Sequence, residues 1–290
     1  MSFTNKIGKK AALLSLMEIG LGGLLHSFKI PFSGHFLSLN QGFILSKSSL
    51  ELKHKTAPAS ISSVAALLKS LSPAGKKLTP MLAISAQGLL FNLGIIIFGI
   101  NPIGILLGMI LLSLWAFIQP FLIYLLLYGK DLWFMLEYFT NKLSKILSFE
   151  IENLLVVLGC FVAIKVLLAI IVGLSAFLVK EKTFYVYQNF LSRYKKIPYV
   201  KETNPYLGAL KDLCNPLFIL SFIIFMTFLI NSHSHNAILY WYLLRPIALG
   251  YLIFLFLRVF PIEKITQVLK NSKFSNLGKV LESSLEEIKK

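Results

Sequence analysis

Long uncharged runs separated by short basic breaks set the pattern of this chain. Residues 80–100 (PMLAISAQGLLFNLGIIIFGI), 102–128 (PIGILLGMILLSLWAFIQPFLIYLLLY) and 213–231 (LCNPLFILSFIIFMTFLIN) are apolar all round. A hydrocarbon core takes about 20 helical residues to cross, and each run is close to that length or beyond it. A membrane β-barrel would instead show segments of about ten residues alternating apolar and polar. The pattern therefore predicts an all-α polytopic transmembrane bundle, with about 6–8 crossing helices plus short interfacial ones.

The remaining segments are shorter or less uniformly apolar. Residues 11–30 can form a first crossing. Residues 36–46 (FLSLNQGFILS) are too short to span in regular form and predict a short or broken helix covered by protein. Residues 57–72 place Ile61, Val64, Leu68 and Leu71 at helical spacing, with serines and Lys69 opposite, which predicts an interfacial or half-buried helix. Residues 131–148 are amphipathic and ambiguous, whereas 153–179 and 237–260 are clear runs. Leu277, Leu281, Leu285 and Ile288 form one stripe on an amphipathic tail. Four parts are expected: a bundle of about six helices over 1–180, a basic connector over 181–208, an accessory helix pair over 209–262 and the tail over 263–290.

Charge placement gives a topology. Residues 180–202 carry Lys180, Lys182, Arg193, Lys195, Lys196 and Lys201 against two glutamates. The N-terminus adds Lys6, Lys9 and Lys10, and a third basic region runs from Arg258 to Lys273. Positively charged loops favour the cytoplasmic side. All three share it only if 131–148 crosses and 36–46 returns the chain. About eight crossings with both termini cytoplasmic are expected on this reading, in a bacterial inner membrane.

Composition agrees. The 290 residues are 56% hydrophobic and 14% charged, with a mean hydropathy of +0.73. The net charge of +16 fits membrane-flanking loops that meet anionic lipid rather than nucleic acid. Cys160 and Cys214 fall in or beside apolar runs and form no CxxC motif. The N-terminus resembles a signal peptide but lacks a small-x-small cleavage site, so it reads as a retained helix.

Polar residues inside apolar runs are costly and are the first candidates for function. Ala11, Ser15, Glu18, Gly22 and His26 form one stripe on the first helix, and Lys165 sits mid-span in its own run. An intramembrane Glu18–Lys165 pair would let each ion tolerate hydrocarbon. On 102–128, Gly104 and Gly108 form a GxxxG that admits a close helix. Trp115 and Gln119, on the same face, would offer an aromatic plate and an amide. Gln87 and Asn92 lie about 140° apart on one helix and cannot both face one pocket squarely. Tryptophan plus amides suits a flat, uncharged heteroaromatic.

Other chemistry is thin. His26, His35, His233 and His235 have no Cys or carboxylate to complete a metal spacing, so no metal or cofactor is expected. The stretch LSPAGKKLTP at 71–80 lacks the GxxxxGK[ST] of a phosphate loop, and there is no HExxH or GxSxG. An enzyme is not expected.

The order of features then becomes informative. EIGLGGLL leads into the polar KIPFSGHFLSLNQG. SVAALLKSLSPAGKK precedes LTPMLAISAQGLLFNLG, a short turn, and INPIGILLGMILLSLWAFIQPFLIY. Over about residues 11–130 this resembles the substrate-binding S components of energy-coupling-factor transporters, in the layout of the cobalt/nickel and biotin groups. The resemblance implies six helices holding a vitamin-like molecule, which partner ATPases import through a transmembrane coupling subunit. It implies that 31–41 is a lid with His35, Asn40 and Gln41 pointing inward, over a pocket lined by Gln87, Trp115 and Gln119. Gly20, Gly22 and Gly23 would face the coupling partner. Residues 209–260 exceed what that family requires. A non-catalytic membrane scaffold and a secondary transporter using the Glu18–Lys165 pair are the alternatives.

Overall fold

The computed structural model describes residues 3–27, 32–70, 78–147, 151–179, 204–214, 216–231, 244–252, 255, 259 and 262–289, and every regular element among them is an α-helix. Among the described residues three helices are long and apolar enough to cross a membrane: Thr79–Phe98, Pro102–Tyr128 and Val156–Leu178. The protein is therefore an all-helical, membrane-associated chain. The elements are α1 (Phe3–Ser27), α2 (Ser33–Leu52), α3 (Ala57–Lys69), α4 (Leu78–Phe98), α5 (Pro102–Tyr128), α6 (Asp131–Leu147) and α7 (Ile151–Leu178). They are followed by α8 (Pro205–Leu213), α9 (Pro216–Asn231), α10 (Ile262–Lys270) and α11 (Ser275–Lys289), with a further helical stretch at 244–252.

The chain divides into two units. Unit 1 holds residues 1–116, 164–201 and 260–290; unit 2 holds 117–163 and 202–259. This partition differs from the expected one. Residues 117–163 do not belong with the first bundle, and the tail joins it instead of standing apart. The connector expected at 181–208 lies mostly outside the described residues.

Pairwise contacts fix the helix directions in unit 1. Lys10 pairs with Glu51 at 2.5 Å while Gly22 lies against Leu37, so α1 and α2 are antiparallel. The rings of Phe3 and His54 are 4.8 Å apart, and Lys69 donates to the carbonyl of Glu18. Hence α3 runs parallel to α1. Ser62 meets Gly88, and Leu67 shares a groove with Leu82, so α4 runs back along α3. Gly94 abuts Gly104 and Gly108 across a tight turn, which reverses the chain again into α5. In that turn Gly99 takes the left-handed conformation (φ 82°) that a side chain would strain. Asn101 Oδ1 accepts from Gly104 N at 2.8 Å, and Pro102 occupies the first helical position. Gly173 of α7 lies against Met109 and Leu106 of α5.

These directions have a consequence for topology. Within unit 1, α1, α2, α3, α4, α5 and α7 alternate up and down. The chain leaves at Ala116 and re-enters at Ile164 at the same end. Helix α3 supplies one of these reversals of helix direction. Two further expectations change with it. Residues 36–46 are no broken segment but part of a continuous 20-residue helix, about 30 Å long. Residues 57–69 are not interfacial: Ile61, Val64 and Leu68 are buried, and so are Ser62 and Lys69 on the opposite face.

The tail's apolar stripe packs inward. Leu281 is fully buried with Leu14, Ile61 and Leu68 in one core, and Leu277, Leu285 and Ile288 pack against that core. Ser284 Oγ donates to the carbonyl of Gly8 at 3.0 Å, seating α11 on α1.

Unit 2 has its own aromatic core. Tyr128 and Phe225 rings stand 4.5 Å apart, and Tyr138 meets Phe228 edge-on at 5.9 Å. Gly129 turns the chain from α5 to α6 with φ 63°, and a methyl group there would lie 3.0 Å from Arg245 Nη1.

Candidate functional site

The polar chemistry of unit 1 gathers on α2. Its sequence, SGHFLSLNQGFILSKSSLEL, is weakly apolar, yet Leu37, Ser38, Gln41, Ile44, Leu45, Ser46, Lys47, Ser48 and Ser49 are all buried. Gly42 allows this position, because a methyl group there would lie 2.5 Å from Met109 Sδ. Buried hydroxyls and amides need partners, and neighbouring helices supply several. Gln41 Nε2 donates to Ile84 O at 2.8 Å and to Ser62 Oγ at 3.3 Å, joining α2 to α3 and α4.

Lysines tie α2 at both ends. Lys165 Nζ, on α7, donates to His35 O at 2.5 Å and to Ser38 Oγ at 2.8 Å. Lys47 Nζ, on α2, donates to Val179 O at 2.6 Å, just past the end of α7. The two bonds are 12 residues apart on α2 and 14 apart on the α7 side, so the helices run parallel. Ala169, Gly173 and Ala176 keep the buried side of α7 small between these ties, while Phe161, Ile164, Leu167 and Ile171 face outward.

The Glu18–Lys165 pair expected from sequence does not form. Glu18 is 4% exposed and lies beside Lys69, whose ammonium donates to the Glu18 carbonyl. Since α3 is buried beside α1, its lysine reaches Glu18 first, and Lys165 is directed to α2. The pattern of 57–72 sets Lys69 opposite the apolar stripe, so nothing in the sequence marks it as the neighbour of Glu18. Lys47 lies just beyond the 36–46 segment expected to be a short or broken helix, so the sequence does not point to its tie with Val179.

The other candidates spread along the bundle. His35 is half-buried in the first turn of α2, its ring 6.0 Å from that of Phe32, and Asn40 is half-buried one turn on. From Ser33 onward the supposed lid is helix, and residues 28–31 lie outside the described residues. Gln87 and Asn92 are buried on α4, and Trp115 is partly buried on α5. Gln119 is buried within the part of α5 that belongs to unit 2. Gly104 and Gly108 are occupied inside unit 1 by Gly94 and Phe91 of α4. Gly22 is buried against Leu37, Gly20 has open space around it, and Gly23 lies outside the residues whose side positions are described, as does His26. His233 and His235 are also outside the described residues.

Several polar atoms in unit 1 have no partner among the described residues. They are Gln41 Oε1, Asn92 Oδ1, Trp115 Nε1 and the hydroxyls of Ser15, Ser46 and Ser48. Unpaired buried polar atoms are uncommon in folded proteins. Among the described residues no three His, Cys, Asp or Glu side chains converge as metal ligands. A groove of about 300 Å³ between α3 and α4 is lined by Ser63, Ala66, Leu67, Met81, Leu82 and Ser85 and is largely apolar. No family model, curated protein or solved structure matches the chain.

Proposed function

We propose that this protein is the membrane-embedded capture subunit of a small-molecule importer, powered by partner ATPases through a coupling subunit, as the S-component resemblance implies. The observation that carries the reading is the set of unpartnered polar atoms around α2 and its neighbours, above all Gln41 Oε1 and Trp115 Nε1. Gln41 bonds to Ile84 O on α4, and Gly42 faces Leu112, one turn before Trp115 on α5. A bound polar molecule at this level would supply partners that the protein does not.

The arrangement of unit 1 supports the same reading. Six helices of alternating direction, α1 to α5 and α7, match the six that the resemblance implies. Helices α4, α5 and α7 are long and apolar enough to cross; in this reading α1 and α2 cross with them, and the 13-residue α3 lies buried among them. The start of α1, with Lys6, Lys9 and Lys10, and the end of α7, followed by Lys180, Lys182 and Arg193, then fall on one side, so that side is cytoplasmic. With α11 seated on α1, the C-terminus is cytoplasmic too.

The alternatives have less behind them. A scaffold working through the GxxxG face or the tail stripe would need surfaces that α4 and α1 already cover. A secondary transporter built on Glu18 and Lys165 would need a pair that is not made.

Native mass spectrometry of the full chain in mild detergent tests the capture reading. A stoichiometric small molecule, released on denaturation and lost on Trp115→Ala or Gln41→Ala, is the expected result. A mass that stays bare against a vitamin panel overturns it.

A further inference from the structure

Lys165 is 5% exposed, and the two groups it bonds are both neutral oxygens, His35 O and Ser38 Oγ. An ammonium has three protons to donate, so one remains beyond these two bonds. Among the described residues no carboxylate stands within ion-pair distance of it. The nearest acid by level is Glu18, and that residue is matched by Lys69. Around Leu37 and Ser38 the buried charges are therefore two positive and one negative. The macrodipole does not help, since Lys165 lies beside the first turn of α2, the positive end of that helix. A buried cation is normally paired with an anion, because an uncompensated charge in low dielectric is costly.

We infer that Lys165 is the charge partner of the captured molecule, and that this molecule is a small organic carboxylate. The inference rests on the capture reading and adds a charge to its ligand: the third proton of the ammonium goes to a carboxylate oxygen, with Ser38 Oγ beside it. Phe32, which caps α2, and Phe36 in its first turn are 63% and 58% exposed near the His35 end of the helix and suit the apolar remainder of such a molecule. A phospholipid headgroup would offer the same negative oxygen, so the source must be separated by experiment.

The test uses the full chain in maltoside detergent and three matched probe pairs: nicotinate and nicotinamide, biotin and its primary amide, pantothenate and panthenol. At least one acid is expected to bind, with its uncharged counterpart roughly 100-fold weaker. Lys165→Met should weaken that acid by a similar factor, and Lys165→Arg should retain it. If Lys165→Met does not yield a monodisperse protein, the acid-to-amide ratio on the unaltered chain carries the result.

Equal binding of acid and amide, or full acid binding by a folded Lys165→Met, would leave Lys165 as only a helix tie and overturn the inference. Binding confined to uncharged probes would do the same while leaving capture intact. No bound probe and no co-purified molecule would remove both. Saturable binding of phosphatidylglycerol, with no acid bound, would assign the ammonium to lipid phosphate and also overturn it.

Discussion

Lys47 of α2 holds the carbonyl of Val179 at 2.6 Å, joining the C-terminal half of α2 to the end of α7. At the other end of the same helix pair Lys165 holds His35 and Ser38. Lys47→Met should lower stability by about 1.5–3 kcal/mol, the usual worth of a hydrogen bond to a charged group. With Lys165→Met the effects should add to within about 0.5 kcal/mol, because roughly 20 Å of helix separates the ties. Denaturant or thermal melts of the four proteins in detergent measure this. Strong coupling would mean that the ties act as one element.

The helix directions place the turn at 99–101 on the same side as the N-terminus and the turn at 53–56. With Cys160 and Cys214 replaced, Asn101→Cys and Lys55→Cys should both react with a membrane-impermeant maleimide only after the cells are opened. Labelling of Asn101→Cys in intact cells would show that α3 does not carry the chain across.

Gly94 lies against the backbone of Gly108 and Gly104, so Gly94→Leu cannot be housed without separating α4 from α5. Loss of the monodisperse peak on fluorescence-detected size exclusion is expected. Gly20 has nothing within 4 Å, so Gly20→Leu should fold normally. In the importer reading it should nonetheless reduce recovery of the coupling subunit in a pull-down.

Trp115→Phe removes the unpaired Nε1–H but keeps an aromatic ring. Stability without ligand should change by less than about 1 kcal/mol, because no hydrogen bond is lost. The amount of small molecule carried through purification should fall. Unchanged ligand content would remove Trp115 from the site.

Leu281→Ala should cost about 2–5 kcal/mol, as for other fully buried leucines. The penalty would appear in the melting of the whole of unit 1, because Leu281 shares a core with Leu14, Ile61 and Leu68. A change limited to fraying of α11 would show that the tail docks without supporting the bundle.

The spans at 79–98, 102–128 and 156–178 were legible in the sequence because hydrocarbon demands apolar side chains on every outward face. Glu18 and Lys165 were likewise visible as charges in apolar runs. What remained hidden lay in helices shielded from lipid by other helices. The later half of α2 and most of α3 meet protein on nearly all sides, so Ser46, Ser48, Ser62 and Lys69 carry no periodic signal that separates them from a wetted face. Pairing was hidden for the same reason: whether Glu18 meets Lys69 or Lys165 depends on the direction of α3. Apolar content alone cannot give that direction.

The burial of α2 also bears on how the protein is made. A nascent helix with five serines, Lys47 and Gln41 between Ser33 and Ser49 gains little by partitioning into lipid alone. The Gln41 amide and the Lys47 ammonium find their partners only once α3, α4 and α7 surround it. In the importer reading α2 is therefore expected to leave the insertion machinery only after later segments emerge, together with the helices that cover it. Truncation before α7 would leave α2 without Lys165 and Val179, and such a chain should be handed to quality-control proteases.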